Sequence, residues 1–276
     1  MARALRLLFP GAVYHVFARG NELGAVFRDD VDREEFLAWL AASVERYGVI
    51  CHGYCLMDNH YHALVETPRA NLPSAMRHLN SCYTSSFNRR HGRVGHLFQG
   101  RYGSRLVEKD DYLVWLVRYI ALNPVRADPP LARRAEDWEW SSYPALLGVR
   151  PAPPWLTTAW VLAQFADDLG EARRQLRAFV DSGLERSLVE NDPYFASEEF
   201  IRAKTADLPR KPEVPRPHWQ PLRPTLEELF SAHEQPIAEA HRTYGYTLRE
   251  IAEHLGCHYT TVSRRLRVSE YALRVA

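Results

Sequence analysis

A chain of 276 residues, 46% hydrophobic and 25% charged, has the apolar content for a folded core and the length for a main domain with a smaller companion. With 35 basic against 34 acidic residues the net charge is +1, which excludes the composition of a disordered basic or acidic tail; any charged surface must come from how the charges are distributed. No apolar stretch is long enough to span a bilayer, the short run after the basic start is broken by Pro10 and Gly11, and Cys51, Cys55, Cys82 and Cys257 form no CxxC pair. The expectation is a cytoplasmic protein with reduced, mostly buried thiols and no membrane partner.

Taken in chain order, Ala12 to Arg19 alternates and carries β-formers, which predicts a strand. Val31 to Tyr47 has helical spacing at Phe36, Leu37, Leu40 and Val44, with Asp29 or Asp30 as N-cap and Gly48 as the stop. Val49 to Met57 and His60 to Glu66 read as a strand pair joined by the turn Asp58-Asn59. A helix is expected from Leu72 to Arg90, starting after Pro73 and Ser74, and a short strand from Arg101 to Val107. Asp110 is placed to cap a helix from Asp111 to Asn123 that Pro124 should end. The order strand, helix, strand, strand, helix, strand, helix predicts an α+β domain: a ferredoxin-like antiparallel sheet with helices on it.

Four segments are expected: residues 1–150 as that domain, 151–203 as a helical extension with amphipathic stretches such as Leu162 to Phe179, 204–224 as a linker with six prolines, and 225–276 as a small all-α domain.

His60 and His62 are two apart on a predicted strand, so both imidazoles project from one face at a spacing suited to one divalent ion, while Tyr61 points into the opposite layer. Tyr119 and Asn123 are four apart and share a helical face. A phenol and an amide so placed can meet one metal-phosphate centre. The plainer reading makes the histidines ordinary packed rings, Tyr119 a packing aromatic and Asn123 a C-cap. Tyr112 and Tyr102 are rival nucleophiles.

From Thr67 to Val107 there is no acidic residue, but there are seven arginines: Arg69, Arg77, Arg89, Arg90, Arg93, Arg101 and Arg105. Acidic residues gather elsewhere, as at Asp29, Asp30, Asp32, Glu34 and Glu35. Such one-sidedness suits phosphate contacts, with Tyr83, Phe87, Phe98 and Tyr102 as candidates for stacking on unpaired bases. Near the C terminus, Ile251, Ala252 and Leu255, the turn at Gly256, and Val262 with Leu266 have the pattern of a helix-turn-helix. Its outward positions Tyr259, Thr260, Thr261, Ser263, Arg264 and Arg265 are the candidates for a DNA major groove.

The run Met57-Asp58-Asn59-His60-Tyr61-His62-Ala63-Leu64-Val65, the stretch Tyr119-Ile120-Ala121-Leu122-Asn123-Pro124-Val125-Arg126-Ala127, the segment from Asn88 to Tyr102, and Trp138-Glu139-Trp140-Ser141-Ser142-Tyr143 together resemble the HUH single-tyrosine transposases, in the branch called REP-associated tyrosine transposases. The resemblance covers roughly Phe9 to Gly148. It implies a nuclease and strand transferase acting on single-stranded, hairpin-forming DNA through a 5′-phosphotyrosine. Tyr119 would be the nucleophile, and His60, His62 and Asn123 would hold Mg²⁺ or Mn²⁺. The sequence leaves the working form open between a monomer and a homodimer. The tryptophan motif is assigned to packing. The rivals are a catalytically silent DNA-binding regulator, a replication or conjugation initiator, and a phosphoesterase of small substrates. No GxxxxGK[ST] loop accompanies the second, and the third has no need of the arginine run.

Overall fold

The computed structural model describes residues 6–108, 111–183, 194, 195, 197–205 and, towards the C terminus, 225–232, 236, 237, 240, 246, 248–257, 261, 262 and 264–266. The chain divides into two compact units: Leu8–Ala196, and Ser197–Ala276 together with Met1–Leu7.

The larger unit is built on a five-stranded sheet. Strands β1 (Ala12–Arg19), β2 (Ile50–Leu56), β3 (His60–Thr67) and β4 (Gly103–Val107) are antiparallel, and β5 (Tyr194–Phe195) adds in parallel beside β4, giving the order β2-β3-β1-β4-β5. With helices α1 (Asp30–Tyr47) and α2 (Leu72–Arg90) in the two crossovers, the first four strands form the ferredoxin-like arrangement that the element order predicts. The caps of α1 follow from the sequence. The Asp29 side chain accepts from the Asp32 amide at 3.1 Å, and Gly48 ends the helix at φ 62°, a left-handed conformation that glycine adopts without Cβ strain. Helix α2 begins at Leu72, so Pro73 lies in its first turn, where the missing N–H costs nothing.

The period-two alternation of β3 sorts the two faces of the sheet. Tyr61 is fully buried on the face covered by α1 and α2: its ring lies 4.7 Å from that of Phe36, and its hydroxyl donates to Asn80 Oδ1 at 2.8 Å. The opposite face carries Val13, Leu64 and Val107 against Leu113, Leu116, Val117 and Ile120 of α3 (Asp111–Arg126). Helix α3 runs through Pro124 rather than ending before it. The proline falls in the last turn, so its missing N–H and the clash of its ring with the Ile120 carbonyl disturb only the end of the helix, and the Asn123 side-chain amide donates to the Tyr119 carbonyl at 2.8 Å.

The tryptophan motif covers the open edge of β2. Leu56 donates to the Trp140 carbonyl and Ser142 to that of Tyr54, each at 2.9 Å, and the Trp138 indole donates to the Leu56 carbonyl at 3.0 Å. An uncovered strand edge invites pairing with other chains, so the packing role assigned to this motif has a physical basis. Beyond it come α4 (Tyr143–Leu146), α5 (Ala159–Leu162) and α6 (Leu169–Asp181). The stretch Leu162 to Phe179, expected as one amphipathic helix, is broken between α5 and α6. Asp168 starts α6 afresh by accepting from the Glu171 amide at 2.8 Å. Its buried residues Ala172, Leu176 and Val180 belong to the core that holds α3. Cys51 and Cys55 are buried free thiols, with burial pushing that of Cys51 up to about 12.

In the smaller unit, α7 (Glu198–Thr205), α8 (Leu226–Ala232) and α9 (Leu248–His254) are described. Thr225 and Glu228 cap α8 reciprocally: the Glu228 amide donates to the threonine hydroxyl at 3.2 Å, and the Thr225 amide donates to the carboxylate at 2.6 Å. Leu229, Ala240, Tyr246, Ile251, Ala252 and Val262 make its core, and Gly256 turns the chain at φ 61°. Most of the proline-rich segment, 206–224, lies outside the described residues, as does Asp110. Among the described residues no helix is long and apolar enough to cross a membrane.

Candidate functional site

His60 and His62 stand on the α3 face of β3, with ring centroids 4.9 Å apart. Each has its Nδ1 engaged. His60 Nδ1 is 2.7 Å from Asn59 Oδ1, so it donates there; His62 Nδ1 is 2.8 Å from Nε2 of His15 on β1. Both rings are thereby left with Nε2 for another partner, and the His62 Nε2 is buried with no hydrogen-bond partner. Burial first, and then the charge of Arg19, lowers the His60 pKa to about 4. Burial is also the main cause holding His62 well below the usual histidine range, assisted by His15, His60, Arg19 and Arg105. Both imidazoles are therefore neutral at physiological pH, the state a metal ligand needs. Two neutral imidazoles, one with an unpartnered buried ring nitrogen, fit a divalent metal ion. Among the described residues there is no group of three or more His, Cys, Asp or Glu that could hold a metal ion.

Tyr119 projects from α3 towards His62 within the same chain. Its ring meets His62 edge-on, centroids 5.5 Å apart at 81°, and His15 at 5.8 Å and 79°. The ring is half-buried, packed at the rim of the core. Asn123 lies one turn on, its Nδ2 turned back to the Tyr119 carbonyl, so the amide oxygen is the atom with acceptor capacity towards another group. Of the rival tyrosines, Tyr102 is buried, and the Tyr112 side chain lies outside the described residues.

Residue 118 fixes the pitch of the tyrosine helix. The Arg118 guanidinium is buried between Trp115 and Phe179, 3.9 and 4.1 Å from the ring centroids, and donates to the Phe179 carbonyl of α6 at 3.2 Å. Arg126, at the end of α3, donates to the Gly183 carbonyl just beyond α6.

The arginine run does not arrive as one patch. Arg77, Arg89 and Arg90 lie on α2, on the far side of the sheet from the histidines; Arg77 and Arg89 are exposed. Arg90 instead donates to Asp29 at 2.7 Å and to the buried Asp32 at 2.5 Å. The acidic cluster that reads as separate in sequence thus folds against it. Arg93 is half-buried over the Phe87 ring at 5.6 Å. The loop after α2 returns to the histidine end of the sheet, where Gln99 donates to the Arg19 carbonyl and Gly20 to that of Asn59. Arg101 is exposed on that loop, and Arg105 stands on the histidine face beside His15. Tyr83, Phe87, Phe98 and Tyr102, expected as stacking platforms, are buried in the core and do not serve as such. An aromatic run beside arginines looks the same in sequence whether it faces DNA or the core.

Sequence reasoning missed His15, Phe17 and Arg19. The alternation of β1 puts these three on one face, but only its pairing with β3 shows that this is the histidine face: Phe17 opposes His62 and Arg19 opposes His60. Phe17 is the half-exposed ring at the site. It lies over Gly103 of β4, where a Cβ would come within 2.4 Å of the ring, and the Arg105 guanidinium sits 5.6 Å above it. In the C-terminal unit Thr261 is half-buried and Arg264 and Arg265 are exposed, whereas Tyr259, Thr260 and Ser263 lie outside the described residues.

Residues 9–123 match the model of the family described as Transposase IS200 like. Among solved structures, one described as "Structure of the REP associates tyrosine transposase bound to a REP hairpin" is similar at 14% identity and a TM-score of 0.46, covering 57% of this chain and 92% of that one. No curated protein matches.

Proposed function

We propose that the protein is a metal-dependent single-strand DNA nuclease and strand transferase that acts on hairpin-forming DNA through a covalent 5′-phosphotyrosine at Tyr119. The observation that carries this is the meeting of the Tyr119 and His62 rings within one chain. His60 and His62, through Nε2, and Asn123, through its amide oxygen, would hold the ion. When bound, a divalent ion supplies Lewis-acid polarisation of the scissile phosphate. The Tyr119 oxygen loses its proton and attacks phosphorus, forming the phosphotyrosine bond. The bond to the 3′ oxygen breaks, and that oxygen takes up a proton to become a free 3′-OH. Phosphoryl bond energy is kept in the ester, so a second 3′-OH reverses the step and is joined. Arg19 and Arg105 flank the pair and offset phosphate charge, and Phe17 is placed to stack on a base beside the scissile bond. Because tyrosine and histidines come from one chain, a monomer holds a complete set of reacting groups.

The exposed arginines Arg77, Arg89 and Arg101 are proposed as phosphate contacts. The C-terminal unit is proposed as a helix-turn-helix that reads duplex DNA such as a hairpin stem, with Arg264 and Arg265 facing the groove.

Incubation with palindromic single strands and Mn²⁺, followed by a denaturing gel, should give a protein–DNA adduct of reduced mobility that Tyr119→Phe and chelation both abolish. An adduct formed by the Tyr119→Phe protein would remove the nucleophile assignment. Metal-independent binding with no adduct from the unmodified protein would favour the silent regulator.

A further inference from the structure

In sequence, Asp58-Asn59 reads only as the turn between β2 and β3, and the scheme above gives it no part. The turn is fastened on several sides. The Asp58 carbonyl accepts from the amides of Val26 and Phe27 at 2.9 and 3.1 Å, and its carboxylate accepts from Arg33 at 2.6 Å. The Met57 amide donates to the His60 carbonyl at 2.8 Å, and the Asn59 carbonyl accepts from Gly20 at the same distance. From this fixed backbone the short Asn59 side chain reaches two groups. Its Nδ2 donates to the Leu23 carbonyl at 3.1 Å, and its Oδ1 is 2.7 Å from His60 Nδ1.

These two contacts have one sense. A backbone carbonyl only accepts, so Leu23 faces the amino end of the amide. Turned over, the amide would lose that bond and set two carbonyl oxygens against each other. Its oxygen therefore faces His60, and an amide oxygen also only accepts. At 2.7 Å a bare ring nitrogen would oppose lone pair to lone pair, so Nδ1 carries the hydrogen. A neutral imidazole has one ring hydrogen, which leaves the His60 Nε2 as a lone pair. The His15–His62 contact has no such sense, since either ring can donate.

The Leu23 carbonyl is itself held in place. In the loop from Gly20 to Gly24, Glu22 and Leu23 have φ of 54° and 60°, the left-handed region that is costly for residues with a Cβ. Such backbone persists where its surroundings over-determine it. Here the amides of Leu23 and Gly24 donate to the Gly20 and Asn21 carbonyls at 3.2 and 2.9 Å, and the Asn21 amide donates to the Leu97 carbonyl at 2.9 Å.

We infer that Asn59 is a positioning residue: anchored by the Gly20–Gly24 loop, it holds His60 in its Nδ1–H tautomer and keeps the Nε2 lone pair free for a cation. The inference rests on the proposed function for the use of that lone pair, but the tautomer is a property of the metal-free protein. Loss of the acceptor behind a ligating histidine typically lowers metal affinity about 10–100-fold.

The test is two measurements on the full chain. Nitrogen-15 spectra of histidine-labelled, metal-free protein report the tautomer, with the His60 signal assigned by its loss in His60→Ala. Mn²⁺ titration reports affinity, with the same variant as the control for binding at this site. Unmodified protein should show the hydrogen on His60 Nδ1. In Asn59→Leu, which keeps the bulk of the side chain and removes its amide, the Nε2–H form that free histidine prefers in water should become the main one. Mn²⁺ binding should then weaken about 10–100-fold. Asn59→Asp, which keeps an acceptor beside Nδ1, should retain the Nδ1–H form. Circular dichroism on both variants separates these effects from misfolding, and Asn59→Asp remains informative if Asn59→Leu does not fold. A hydrogen on His60 Nε2 in the unmodified protein or in Asn59→Asp, or an unchanged tautomer or affinity in Asn59→Leu, would overturn the inference. Absence of Mn²⁺ binding by the unmodified protein would count against the proposed function, while the metal-free spectra would still decide the role of Asn59.

Discussion

At the scale of single residues, the site is a set of rings kept uncharged by burial. Burial, with Arg105 adding to it, pushes the pKa of His15 down to about 3, and His60 is held at about 4. In the unfolded chain each would titrate near 6.5. Above that value both states bind no proton at these positions, and the full stability is present. As pH falls from about 6.5 the unfolded chain takes up protons that the folded protein refuses, so stability is lost until the folded values are reached. In the presence of chelator, the melting temperature should be flat above about pH 7 and fall steadily towards pH 4 through these histidines. His15→Phe removes one such group. Its stability should therefore depend less steeply on pH in this window, by about 1.4 kcal/mol per pH unit. Thermal melts of the two proteins across the range check this, and parallel curves would contradict it.

At the scale of elements, the tyrosine helix is held from both sides. One face of α3 packs on the sheet, and α6 lies against its other side through Leu176, Val180 and the Arg118 latch. The position of the Tyr119 ring beside His62 is set by this sandwich. Leu176 is fully buried, so Leu176→Ala should cost about 2–5 kcal/mol of stability. Arg118→Leu keeps bulk between the two rings but loses the carbonyl latch. Small misplacements of a reacting group cost up to about 100-fold in rate. Arg118→Leu should therefore slow single-turnover adduct formation about 10-fold or more while leaving equilibrium DNA affinity within a few-fold. A parallel loss of both would show that the arginine contacts DNA instead. Helix periodicity made α3 and its polar face legible. It could not show α6 as the second half of the clamp, because an amphipathic helix does not name the surface it will bury.

At the scale of the whole molecule, charge is near balance, and the question is which arginines remain exposed after folding. Arg89 and Arg90 are both exposed, but Arg90 is committed to Asp29 and Asp32. Arg89→Ala should weaken single-strand binding and reduce the slope of log K against log salt by roughly 1, whereas Arg90→Ala should leave that slope unchanged and lower the melting temperature. Titrations at several salt concentrations distinguish the two. Local patterning in the chain determined the strand and helix order up to Val107, the caps at Asp29 and Gly48, and the shared face of His60 and His62, because periods of two and of 3.6 and the turn residues act over a few positions. Tertiary structure alone decided that His15 lies behind His62, that Asp32 neutralises Arg90, that the expected stacking aromatics are core, and that α6 backs the tyrosine helix. Each of these depends on strand register or on which apolar surfaces meet. Those are long-range choices, settled by burying area between distant segments, and no local pattern encodes them.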